Sequence, residues 1–348
     1  MLDFFRDKSI FVTGHTGFKG AWFCRILQLA GAHITGYALE PEHGAVYERI
    51  VDSESIDSTI GDIRDFDTLK AAFEKAQPEI VFHMAAQPLV IDAYEEPAYT
   101  FDTNVQGTVN ILECVRLSDC VKSIIVITTD KVYQNVEKSS GYLEDDILGG
   151  NEPYSASKAC AEIVCDAYKK SFFHSCGVAI STARAGNVIG GGDISKNRIL
   201  PDCIRSAKQG KEIIVRNPDS VRPYQHVLEP LFAYLTIAKK QYENIDLSGA
   251  YNVGPEESDC ITTAKLADIF CCQWGDKQTW RHMNNINAPH ESGLLRLDCA
   301  KMRSVFGWHP VWDVYAAVKN TIQWEKSVEK IEITDKQIDA YISAACTE

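Results

Sequence analysis

Tyr154 and Lys158 stand four residues apart in the segment Pro153-Tyr154-Ser155-Ala156-Ser157-Lys158. Proline suits the first turn of a helix, where its missing N–H is not needed. The spacing therefore predicts a helix carrying the phenol and the ammonium on one face. A tyrosine phenol ordinarily titrates near ~10, and a neighbouring ammonium favours the phenolate. Such a pair can take the proton of a hydroxyl while hydride leaves the carbon that bears it. An amphipathic helix would place the same two residues together by chance, so the pair needs company. Thr128-Thr129-Asp130 supplies it by putting hydroxyls and a carboxyl at a strand end upstream.

A second constellation lies near the start of the chain. Phe11-Val12-Thr13-Gly14-His15-Thr16-Gly17-Phe18-Lys19-Gly20 ends a strand and opens a helix, with the spacing G-x-x-G-x-x-G. Gly14 permits a tight turn, Gly17 lets backbone approach a pyrophosphate, and Gly20 lets the helix pack close to the strand. The freed N–H groups at the helix start then face an anion. In the first strand and first turn of a chain, this reads as a dinucleotide site. His15, Phe18 and Lys19 are further candidate cofactor contacts, Lys19 being either a partner for a phosphate or ribose or a solvated surface lysine. The positive ring of an oxidised nicotinamide would favour the Tyr154 phenolate further. An acid about 20 residues on would hold the adenosine ribose. The second strand ends Gly36-Tyr37-Ala38-Leu39-Glu40 with no aspartate at its tip, so NAD and NADP both stay open. Asp62, with Ile63 beside it, is either an acceptor for the adenine amino group or a charge at a helix start. Ala85 and Ala86 follow a strand where small residues let the cofactor lie close. Asn104 either holds a water there or is buried against backbone.

These residues need a scaffold. Apolar runs at Ile10–Thr13, His33–Ala38, Ile80–Met84, Ile124–Thr128 and Val178–Ala183 alternate with helical patterns at Trp22–Ala30, Asp67–Ala76, Tyr99–Arg116 and Ser155–Phe173. That rhythm predicts an α/β fold, a Rossmann-type doubly wound parallel sheet covered on both faces. After Ala183 the rhythm breaks at a glycine-rich loop, Gly186–Asp193, and Arg216–Tyr224 also reads as loop. Further elements follow at Leu228–Lys240, Ala250–Val253 and Thr263–Trp274. The expected organisation is a dinucleotide-binding domain over residues 1–183, with segments near 226–256 returning to it. Residues 184–348 form mainly a smaller C-terminal substrate-binding domain.

With 45% hydrophobic residues in 348, the chain can bury a core. Its formal charge is −13 and no run of Lys and Arg forms a basic stripe, which argues against nucleic acid and anionic membranes as partners. No apolar run is long enough to span a bilayer, and the first residues lack the zones of a signal peptide. The twelve cysteines are scattered through apolar stretches without a paired C-x-x-C framework, so no metal site is expected. They read as reduced thiols in a cytoplasmic protein.

The whole pattern resembles the extended short-chain dehydrogenase/reductase superfamily over nearly the entire chain. Within it, several segments resemble the CDP-glucose 4,6-dehydratases. These are GHTGFKGAW at Gly14–Trp22, HMAAQPLV at His83–Val90, TTDKVYQN at Thr128–Asn135 and GYLEDDILGGNEPYSASK at Gly141–Lys158. ARAGNVIGGGD at Ala183–Asp193 and RPYQHVLEP at Arg222–Pro230 fit as well. The dTDP-glucose dehydratases carry Asp-Glu where this chain has Asp130-Lys131, and they lack the GGGD loop. The resemblance implies oxidation of a sugar at C4 by NAD, loss of water across C5 and C6, and return of the hydride to C6. Tyr154 would be the base at the C4 hydroxyl, with Lys158 tuning it and holding the nicotinamide ribose, and Thr129 would bond the C4 oxygen. Asp130 would be the acid for the C6 hydroxyl. Lys131 would be the base or relay at C5, or an ion-pair partner of Asp130. Gln87, Asn187, Arg198 and Arg222 would contact the nucleotide sugar, with His226 either joining them or serving as a structural histidine. The family also implies a homodimer through the helices Tyr99–Arg116 and Ser155–Phe173. Other dehydratases, taking dTDP- or GDP-hexose, and the epimerases and reductases share most of this scaffold, and a nucleotide-sensing subunit without catalysis is a further reading. Asp130-Lys131 separates the epimerase from the dehydratase, and the intact Tyr154, Lys158 and glycine turn speak against the sensor.

Overall fold

The computed structural model describes residues 1–283 and 293–346. Seven parallel strands form its central sheet: β1 Ser9–Thr13, β2 His33–Ala38, β3 Ile56–Ile60, β4 Ile80–His83, β5 Ser123–Ile127, β6 Ala179–Ala185 and β7 Ala250–Val253. They run in the order β7-β6-β5-β4-β1-β2-β3. The expected doubly wound parallel sheet is therefore present. All five residues of β5 and all seven of β6 are buried, although β6 carries Ser181, Thr182 and Arg184.

Alternate residues on each strand feed opposite faces. Ile10, Val12, Phe82, Ile125 and Ile127 join the core under the helices Phe18–Ala30 and Leu228–Glu243. Phe11, Val81, Ile124, Val126 and Ile180 join the core under Phe66–Ala76, Gly107–Arg116 and the Tyr154 helix, Pro153–Tyr168. A separate core, with Ile204, Val215, Leu266, Phe270 and Val318, lies beyond the sheet among the helices Ile199–Lys208, Thr263–Trp274 and Val314–Lys326. Among the described residues no helix is long and apolar enough to cross a membrane.

Three features depart from the sequence reading. Strand β3 carries no apolar run, because it is the sheet's edge and most of it faces solvent. The stretch Tyr99–Arg116 is not one helix: Pro97–Phe101 and Gly107–Arg116 flank a π-helical turn at Asp102–Gln106. Such a wide turn often sits beside a functional site, and this one contains Asn104. The two expected loops each carry a short strand. Val188–Ile189 pairs with Gln225–His226, and Val221–Pro223 pairs with Cys260–Thr262.

The closest packing in the sheet's crevice is at the first turn. Gly14 has φ +75°, and a Cβ there would lie 2.7 Å from the Ala85 nitrogen. A Cβ at Gly20 would fall on the Gly14 carbonyl oxygen, and neither backbone can yield. Gly20→Ala should therefore cost about 1–3 kcal/mol of stability, measured by denaturant unfolding. A variant as stable as the parent would mean that the helix can shift away.

Candidate active site

The carboxyl ends of β1, β4, β5 and β6 meet in one crevice, the usual ligand position in an open parallel sheet. On its cofactor side, Gly17 caps the first helix without any side-chain cap, and a Cβ there would meet only the Gly14 oxygen, at 3.4 Å. The first-turn N–H groups thus lie uncovered by any side chain at Gly17, and this uncapped helix start suits the pyrophosphate of a dinucleotide. Thr13 builds the floor: its hydroxyl accepts from the N–H groups of Met84 and Ala85 at 3.1 and 3.2 Å and bonds His83 Nδ1 at 2.7 Å. Burial holds the His83 imidazole down at about 3, so it is neutral.

Three cofactor or substrate expectations, and the helix-start reading of Asp62, need correction. The His15 ring does not line the cradle. It is fully buried against Gly36, bonded to Ser58 at 2.8 Å, and pushed down to about 4 by burial. Asn104 is fully enclosed and bonds the Gln87 N–H, the Gln87 carbonyl and the Ser157 hydroxyl. It clamps the loop after β4 to the Tyr154 helix instead of meeting a ligand. Gln87 likewise commits its amide to Leu89 and to Thr100. Asp62 is no helix cap, because Asp65 fills that place. Asp62 instead grips Arg64 at 2.6 Å, which holds its carboxyl below the usual range. Ile63 beside it is buried and packs on Gly107. Phe18 reaches toward Gly190, and Glu40 is exposed.

The reactive groups gather at the end of β5. Asp130 is fully buried. One carboxylate oxygen accepts from Thr129 at 2.9 Å and Lys131 at 3.1 Å, and the other from Asn187 at 3.1 Å. Asn187 is thus aimed at this carboxyl and not at a diphosphate. It adopts φ +47°, a left-handed conformation that asparagine tolerates well. Tyr154 is nearly buried on the facing helix, close to Thr129.

The expected lowering of the Tyr154 phenol is not met in the protein alone. Burial dominates and raises it to about 12, against a smaller opposing pull from Thr129. Lys158 does not pair with the phenol but donates to the Ile127 carbonyl at 3.1 Å, and burial lowers it to about 8. Lys19 is brought into the same group. Burial, then Arg198 and Lys158, push it down to about 7.

Arg198 immediately precedes the helix Ile199–Lys208 and pairs with Asp193 at 3.2 Å. Arg222 is buried and donates to the carbonyls of Val221 and Gly293. His226 is fully enclosed, edge-on to Trp22 and Trp312, and lowered to about 3 by burial. That enclosure leaves no ring face for a diphosphate and decides for the structural reading of His226.

The sequence reading missed Glu162 and Arg184. Glu162 lies one turn beyond Lys158 and accepts from Thr128, Thr182 and Arg184 at 2.5, 2.7 and 2.8 Å. An arginine inside the buried strand β6 was the available signal, since such a charge demands a buried partner. Gly186 was missed too. A Cβ there would fall on the Asp130 carboxyl. Gly186→Ala should displace that carboxylate and lower kcat at least ~10²-fold, the scale of a lost acid–base group, while far-UV circular dichroism stays unchanged. Full activity would show that Asp130 need not sit there.

The NAD dependent epimerase/dehydratase family matches residues 10–254. A CDP-glucose 4,6-dehydratase of Salmonella typhimurium is 43% identical, with 99% of each chain covered. A dTDP-glucose 4,6-dehydratase of Escherichia coli K12 is 25% identical over 92% of this chain and 94% of its own. Among solved structures, Thermus thermophilus UDP-glucose 4-epimerase with NAD superposes with a TM-score of 0.80 at 22% identity, covering 92% of this chain and 99% of that one. The Bacillus anthracis dTDP-glucose 4,6-dehydratase with NAD gives 0.77 at 22% identity, covering 92% and 97%. The two structural likenesses bear on the fold, whereas the sequence matches identify the lineage. The chain belongs to the NAD dependent epimerase/dehydratase family.

Proposed function

We propose that this protein is a CDP-glucose 4,6-dehydratase, a hydro-lyase that forms CDP-4-keto-6-deoxyglucose. The observation that carries this reading is the buried Asp130 carboxyl, held by Thr129, Lys131 and Asn187 directly beside the Tyr154 helix. An oxidation site alone needs no such acid. The full-length likeness to the Salmonella enzyme supports the same reaction and its nucleotide sugar.

Gly14, Gly17, Phe18, Lys19, Gly20, Asp62, Ile63, Ala85, Ala86 and Lys158 would hold NAD, which would supply the hydride acceptor and later the donor, and whose positive ring would oppose the burial that raises Tyr154. Tyr154 takes the C4 hydroxyl proton, and Thr129 bonds the C4 oxygen. The C4 ketone acidifies C5–H, Lys131 removes that proton, and Asp130 protonates the departing C6 hydroxyl; the hydride taken from C4 would then return to C6 as Lys131 gives its proton back to C5. Moving one proton from ammonium to carboxylate within the Lys131–Asp130 pair gives both the neutral amine that takes the C5 proton and the acid that protonates the C6 hydroxyl. Arg198 and Arg222 pair with the substrate diphosphate.

We further infer that residues 1–183, with segments near 226–256, bind the cofactor and that 184–348 mainly bind substrate. The pairing of Ala250–Val253 with β6 supports the return. Twelve unpaired thiols support a cytosolic setting. Exposed Tyr94, Phe101, Ile163 and Phe172 on neighbouring helices support a homodimer through that face. The product would feed deoxysugar and O-antigen-type polysaccharide synthesis.

Asp130→Asn should still oxidise C4 but stall elimination, slowing water loss by ~10²–10⁴-fold. Reduced nicotinamide should then accumulate when CDP-glucose is added, followed by its absorbance. Neither accumulation nor slower water loss would remove Asp130 from the acid role. The unaltered enzyme should give a product lighter by one water with no net reduced cofactor, and a C4 deuterium should reappear at C6 by mass spectrometry. A product of unchanged mass would indicate epimerisation, and stoichiometric reduced cofactor a plain dehydrogenase.

A further inference from the structure

Glu325 lies near the end of the helix Val314–Lys326, 133 residues from the glycine-rich loop that it touches. One carboxylate oxygen accepts from the Gly192 N–H at 2.9 Å, and the other pairs with the Lys208 ammonium at 2.5 Å. The Glu325 side chain is only 7% exposed. Burying a carboxylate is costly unless its oxygens are matched, and both are matched here to one stretch of chain. Gly192 begins that stretch, and Lys208 closes the helix Ile199–Lys208 that ends it.

The residues between those two anchors include a candidate substrate cation. Asp193, next to Gly192, accepts from the Ser195 N–H at 3.0 Å and from Arg198 at 3.2 Å. Arg198 lies close enough to Tyr154 and Lys19 to bias both electrostatically. The loop's other contacts are equally definite. The Trp22 indole, on the helix of the dinucleotide turn, donates to the Gly191 carbonyl at 3.0 Å. The Trp324 ring occupies the space that side chains at Gly191 and Gly192 would need, and its indole donates to Thr334 at 2.8 Å. The tryptophans press on the middle of the loop, while Glu325 reaches both ends of residues 192–208.

We propose that Glu325 is a positioning residue for Arg198, fixing the path of residues 192–208 and so the place where the guanidinium meets the nucleotide-sugar diphosphate. The inference rests on the assignment of Arg198 to that diphosphate.

The test is steady-state kinetics with CDP-glucose on the full chain, comparing Glu325→Ala, Glu325→Gln, Arg198→Ala and the Glu325→Ala/Arg198→Ala double variant. NAD affinity is measured in parallel by calorimetry. Glu325→Ala should raise KM for the sugar nucleotide about tenfold while kcat and NAD affinity stay within about twofold. Glu325→Gln keeps an acceptor for the Gly192 N–H and should recover most of that loss. In the Arg198→Ala background, Glu325→Ala should add nothing, because residues acting through one another are not additive. Additive KM effects would overturn the inference and leave the role of Arg198 standing. An unchanged KM in Arg198→Ala would overturn that role and the inference with it. Parallel loss of NAD and sugar binding in Glu325→Ala would mark a purely structural residue and also overturn it. If Glu325→Ala does not fold, Lys208→Met, which alters a half-exposed side chain, must raise KM in the same non-additive way. No change there overturns the proposal.

Discussion

Glu162 sits on the Tyr154 helix and accepts hydrogen bonds from Thr128 at the end of β5 and from Thr182 and Arg184 in β6. It is 4% exposed, and the Arg184 side chain is equally enclosed. Removing one member of a buried pair strands the other charge, at a cost of about 3–5 kcal/mol. The carboxylate therefore locks the helix to the two strands in one register. That register decides where Tyr154 and Lys158 stand relative to Thr129 and Asp130. Arg184 carries the constraint outward: it donates to the Tyr133 hydroxyl and the Glu144 carbonyl, and Tyr133 donates to Asn252 on β7. The long loop after Asp130 is thus tied to the far edge of the sheet.

Around that frame the charges of the site oppose those of the molecule. The chain carries −13 overall, yet Lys131, Lys158 and Arg198 gather around Lys19 near the buried Asp130 carboxyl. Lys131 pairs with it directly, and Arg198 with Asp193. Enclosure lowers Lys19 to about 7, with Arg198 and Lys158 adding to it, and lowers Lys158 to about 8 by loss of hydration. An anion entering there meets several cations at once and competes with Asp130 and Asp193 for two of them. This is how an acidic protein can hold diphosphates without a basic surface.

The site is also shaped by absent side chains. Gly14 and Gly20 let the first turn, its helix and the loop after β4 touch, and Gly186 leaves room for the Asp130 carboxyl. Gly191 and Gly192 make way for Trp324. Two of these pairings bring together residues more than a hundred positions apart in the chain, which local spacing cannot encode.

The parallel sheet, the glycine turn and the Tyr154–Lys158 pair were legible from sequence, because each rests on a short-range rule. Buried strands are apolar, glycines permit a turn, and residues four apart share a helix face. Strand β3 was not legible, since an edge strand half in water needs no apolar run. Residue types also could not say which polar side chains would meet a ligand and which would be consumed by the protein. His15 and Gln87 looked like ligand contacts, and Asn104 and His226 stayed open between ligand and structural roles, yet packing encloses all four and directs their polar groups to Ser58, Thr100, Ser157 and the Leu228 N–H. Nor could the sequence show that Lys158 bonds the Ile127 carbonyl while burial raises the phenol it was expected to lower. Local patterns are set by neighbours along the chain. Burial and hydrogen-bond partners come from segments far away in sequence, so they are decided only when the chain closes on itself.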